Sequence, residues 1–146
     1  MRRKVFMCMA VILVLLMVSQ ASAKIRSFGN FRVDVPSGWT AELQGQTLLV
    51  KCERVNASVA VAFAETGGAS FTDIVERLYT QMDGDNLEQD SDGDYTFTFT
   101  NLAGGESFTI ITGAEGYYLV LSITGYDVEE VQADIEAILD SVDFEE

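Results

Sequence analysis

From Ser58 to Ala64 the chain reads Ser-Val-Ala-Val-Ala-Phe-Ala, apolar on both of its alternating sides. Extended chain turns successive side chains to opposite faces, so Val59, Val61 and Phe63 share one and Ala60, Ala62 and Ala64 the other. A strand without a polar face has to be covered on both sides. The rest of the sequence must therefore supply two covering layers, and the alanine face would let a helix approach closely.

Phe31–Val35 alternates strictly, with Phe31, Val33 and Val35 on one side and charges on the other, a half-buried strand ended by Pro36-Ser37-Gly38. Thr40–Leu43, the turn Gln44-Gly45-Gln46 and Thr47–Cys52 read as a hairpin. Tyr95, Phe97 and Phe99 alternate with Thr96, Thr98 and Thr100. Gly104-Gly105 then turns into Ser107–Thr112, and Gly113–Gly116 turns into Tyr117–Thr124, an antiparallel meander. Two helices complete the set. Ser70 with Asp73 caps the first, whose stripe is Phe71, Ile74, Val75, Leu78, Tyr79 and Met82. Asp127 with Glu130 is expected to cap the second, with Val131, Ile135, Ile138, Leu139 and Val142 buried and Glu129, Asp134, Glu136 and Asp140 in water. The order β-β-β-β-α-β-β-β-α predicts an α+β fold, an α/β/α sandwich on a central antiparallel sheet of about seven strands.

Residues 1–23 carry the three parts of a cleaved secretory signal peptide: basic Arg2, Arg3 and Lys4, the apolar run Phe6–Val18, and small Ala21-Ser22-Ala23. The apolar run is shorter than the roughly 20 residues a membrane span needs. A single domain over 24–146, periplasmic or secreted and not inserted in the membrane, is the expectation. Its one cysteine, Cys52, falls in phase with Leu48 and Val50 on the core side of its strand, where it acts as a small hydrophobe and has no disulfide partner.

Charge restricts function further. Residues 24–146 hold six basic and 23 acidic side chains, a net charge of −17, and after Arg77 there are 17 acids and no base. Such a chain repels nucleic acid, where each phosphate contact needs a cation, and suits a basic partner. The protein has no histidine, which removes imidazole catalysis and histidine-ligated zinc.

Phe31-Arg-Val-Asp-Val-Pro-Ser-Gly-Trp39 and Ile138-Leu-Asp-Ser-Val-Asp-Phe144 resemble the opening and the close of the PsbP/DcrB-like superfamily of small exported proteins, with a similar element order between them. The resemblance implies an α/β/α sandwich and an extracytoplasmic accessory or binding protein. It implies no catalytic residues.

The segment Asp83–Asp94 is the one motif with chemistry to weigh. Its alternating carboxylates are the ligands a hard cation such as Ca²⁺ takes, with Glu88, Asp90, Asp92 and Asp94 as the candidate metal ligands. The EF-hand template fails in both registers: starting at Asp90 puts Tyr95 at the glycine position, and starting at Glu88 puts Phe99 at the last ligand. A solvated loop ending in an Asp92-Gly93 turn accounts for the same residues. Three readings follow: a non-enzymatic exported accessory protein acting by protein–protein contact, a weak Ca²⁺-binding module using the acidic loop, and a carboxylate-based enzyme. No cofactor is expected beyond Ca²⁺.

Overall fold

The structure is a computed structural model that describes residues 24–144. The expected signal segment, residues 1–23, lies outside the described residues. Ten strands and two helices run in the order β1 (Lys24–Phe28), β2 (Phe31–Val35), β3 (Trp39–Gln44), β4 (Thr47–Cys52), β5 (Ser58–Glu65), α1 (Phe71–Gln81), β6 (Asp85–Gln89), β7 (Tyr95–Thr100), β8 (Glu106–Ala114), β9 (Tyr117–Thr124), α2 (Glu129–Ser141) and β10 (Asp143–Phe144). Seven strands form one antiparallel sheet, ordered β3-β4-β5-β9-β8-β7-β6.

The two-sided strand β5 pairs with β4 and β9 near the middle of this sheet, as its composition requires. Its Val59 and Val61 join Leu48, Val50, Cys52 and Ile123 under Val131, Ile135 and Ile138 of α2. The opposite face carries a second core, Val75 of α1 on Phe97 and Ile111, with Tyr79 meeting the Phe97 ring edge-on at 5.4 Å. Ser70 caps α1 as expected, its hydroxyl accepting from the Asp73 N–H at 3.1 Å. Cys52 is buried. The fold is the expected α+β sandwich.

Four expectations are corrected. Phe31–Val35 leaves the main sheet and forms a three-stranded sheet, β1-β2-β10, beside α2. Its inward Phe31, Val33 and Val35 complete the α2 core, and the Asp34 N–H donates to Ser141 Oγ at 2.8 Å. Alternation fixed which side of β2 is buried but not which strands it pairs with. Second, α1 lies on the face of the sheet that the alanines share, since Ala62 pairs with Val120 and Val120 with Ile111, but it covers β7, β8 and β9 rather than β5, so Ala60, Ala62 and Ala64 remain half-buried. The close approach falls instead at Gly113, where a Cβ would meet the Phe71 ring at 3.1 Å. Third, α2 begins one residue later than the Asp127 cap implies. The Val128 carbonyl accepts from the Val131 N–H at 3.0 Å, which makes Val128 the cap, and it contributes no side-chain bond. Glu129 and Glu130 in the first turn still favour the positive end of the helix dipole. Fourth, Asp134 is half-buried, because its Oδ2 accepts from the buried Trp39 indole at 2.9 Å and ties α2 to β3.

One buried hydroxyl is left over. Thr109 on β8 is fully buried and its Oγ1 has no hydrogen-bond partner, whereas neighbouring Ser107 bonds both Asn101 and Thr124. An unpaired buried hydroxyl costs about 1–3 kcal/mol. Thr109→Val keeps the shape and removes that cost, so it should raise stability by about 1 kcal/mol, read from the urea midpoint. A destabilised variant would mean that the hydroxyl is satisfied.

Candidate functional site

The acidic segment is more structured than a solvated loop. Asp85–Gln89 is strand β6, which pairs with β7 at the sheet edge, exposed along its whole length. The register shifts between Asp85 and Glu88, where Asn86 takes a positive φ of 57°. Glu88 lies on this edge strand opposite Thr96. Asp90, Asp92 and Asp94 share the turn that follows. There Asp90 Oδ1 accepts from the N–H groups of Asp92 and Asp94, both at 2.9 Å, and the Asp90 N–H donates to the Asp94 carbonyl. The Asp90 carboxylate is thus committed to holding the turn. Among the described residues no group of three or more Asp, Glu or Cys side chains converges as a metal-binding set.

This arrangement separates screening from site binding. Like charges crowded along β6 and its turn repel, and salt relieves that repulsion. NaCl should therefore raise the melting temperature, and CaCl₂ at equal ionic strength should follow the same curve. A rise with CaCl₂ beyond the NaCl curve would show a specific Ca²⁺ site, since binding to the folded state adds stability by mass action.

A different place collects recognition chemistry. The β1–β2 and β3–β4 hairpins both turn in two residues with glycine first, Gly29 at φ 59° and Gly45 at φ 64°. Glycine meets no steric penalty in that conformation. The two turns lean together, with a Cβ on Gly29 placed 3.3 Å from Leu43. Between them and the adjoining ends of β5 and β9 lies a groove of about 650 Å³. Glu65 pairs with Tyr117 across the ladder, and Phe63 stands two residues before Glu65 on the same face. The Phe63 and Tyr117 rings stack with centroids 4.9 Å apart and planes 20° apart. Phe28 and Leu43 add apolar wall, Asn30 and Gln46 add amides, and among the described residues Glu65 is the one ionisable carboxylate of the lining.

None of these lining residues stood out in the sequence as functional, since Phe31 and Phe63 read only as the buried sides of their strands. They come from four separate stretches, and only the Gln44-Gly45-Gln46 turn gave a signal, for the hairpin and not for a groove.

No family model and no curated protein matches the chain. Among solved structures, the solution structure of cyanobacterial PsbP (CyanoP) from Synechocystis sp. PCC 6803 superposes over 86% of this chain and 94% of its own, with TM-score 0.55 and 18% identity. The chain has the PsbP-like fold. A crystal structure from Bacteroides thetaiotaomicron also matches, at 15% identity and TM-score 0.49, and this chain covers 49% of it. The PsbP-like resemblance of the Phe31–Trp39 and Ile138–Phe144 segments thus holds at the level of fold, with Trp39 and α2 forming one continuous core. Among the described residues no helix is long and apolar enough to cross a membrane.

Proposed function

We propose that this protein is a non-enzymatic accessory or binding protein, exported through residues 1–23, that works outside the cytoplasm by contacting another protein. The observation that carries this reading is the character of the groove between the two glycine turns, an open hollow with a stacked aromatic pair, two amides and one carboxylate. Aromatic side chains beside polar groups are the composition of recognition surfaces. Carboxylate catalysis of the glycosidase kind needs a facing pair, one acid and one base or nucleophile, and Glu65 stands alone in this lining. The PsbP-like fold supports the same reading, since the resemblance implies small extracytoplasmic accessory proteins.

Affinity capture tests it, with the exported protein as bait in an envelope extract of its host. A stoichiometric protein partner is the expected result. Turnover of a glycoside or ester by the protein alone would contradict it.

A further inference from the structure

We propose that the groove between the β1–β2 and β3–β4 turns is a receptor for an arginine side chain presented by a basic segment of the partner. The inference rests on the protein-contact reading and names the chemistry of the partner. Three observations converge on it. The stacked Phe63 and Tyr117 rings offer π-surface of the kind on which a planar guanidinium lies, through cation–π attraction and stacking. The Glu65 carboxylate sits beside them, opposite Tyr117 in the ladder, where an arginine can meet the ring and the carboxylate together. Among the described residues no lysine or arginine lines the groove, so none of them competes for that carboxylate or repels a cation.

Charge complementarity extends beyond the groove. Residues 24–146 carry a net charge of −17, all of it contributed after Arg77, a field that draws a basic segment toward the protein. That field gives attraction without an address. The address comes from Asn30 and Gln46 at the two turns, whose amide oxygens can accept the remaining guanidinium N–H groups, and from Phe28 and Leu43, which can pack along the aliphatic stem. The acidic edge strand β6 lies at the other end of the main sheet from the β3–β4 hairpin, so general attraction and groove binding are spatially separable.

The test is an NMR titration of the protein, purified as its host exports it, with an end-capped Gly-Arg-Gly peptide and its citrulline counterpart, which keeps the shape and loses the charge. The arginine peptide should shift resonances of Phe63, Glu65 and Tyr117, and the citrulline peptide should bind about tenfold more weakly or less. Glu65→Gln, an exposed change that leaves packing intact, should weaken arginine binding by about threefold or more. Tyr117→Leu should weaken it similarly by removing the ring. Shifts confined to Asp83–Asp94, equal binding of the citrulline peptide, or unaltered affinity in Glu65→Gln would each overturn the assignment. A host protein captured equally by wild type and Glu65→Gln overturns the arginine receptor and leaves the protein-contact reading standing. Absence of any captured protein with wild-type bait overturns the reading itself.

Discussion

Replacing Phe97 by alanine should destabilise the protein by about 3–5 kcal/mol, the usual cost of emptying a large aromatic site in a packed core. Phe97 is the largest fully buried side chain on the α1 side of the sheet. It is held between Val75, Ile111 and the edge-on Tyr79 ring. The α1 core is also the smaller of the two, with three fully buried members, so few neighbours can move in to fill the void. The loss should show as a fall in the urea midpoint with an unchanged slope. A loss below about 1 kcal/mol would mean that α1 is not anchored on the sheet through this ring.

Gly125→Ala should cost about 2–4 kcal/mol through backbone rather than cavity. Gly125 follows β9 and opens the turn into α2 at φ 80°, a conformation that penalises any Cβ. A Cβ there would also stand 2.8 Å from both the Asn56 carbonyl oxygen and the Ala57 Cβ. The contact involves backbone on the β4–β5 connection, which cannot rotate away as a long side chain would. Calorimetric melting of the variant beside Gly93→Ala separates the two contributions. Gly93 has φ 91° and open space around it, so it reports the conformational penalty alone. Equal losses at the two positions would remove the steric part of the account.

Much of this fold was legible because its rules are local. Strict alternation marked β2 and β7, a run apolar on both faces marked β5, paired glycines marked the β7–β8–β9 meander, and Ser70 marked the start of α1. The departures share a physical origin, since each depends on partners distant in sequence. Nothing within Phe31–Val35 says that it pairs with β1 and β10, because the same buried face suits either sheet. Strand β6 has no apolar alternation to read: Asp85–Gln89 is exposed throughout, and its edge position is held by backbone pairing to β7. Acidic residues on such an edge also discourage pairing with another chain, so the pattern that reads as loop suits a protected edge. Asp134 sits where helical spacing points to solvent, and only Trp39, 95 residues earlier, explains its burial. The groove was invisible for the same reason. Phe63, Glu65 and Tyr117 become one surface through the β5–β9 ladder, and the two glycine turns reach it from separate hairpins.

Photo-cross-linking in the living host tests the proposed contact most directly. A photoreactive residue placed at Gln46, exposed in the groove lining, is compared with one at Leu102, fully exposed in the loop between β7 and β8. Irradiation should give one discrete protein adduct from position 46, lost in the Glu65→Gln background, and none from position 102. An adduct from position 102 with nothing from position 46 would contradict the account.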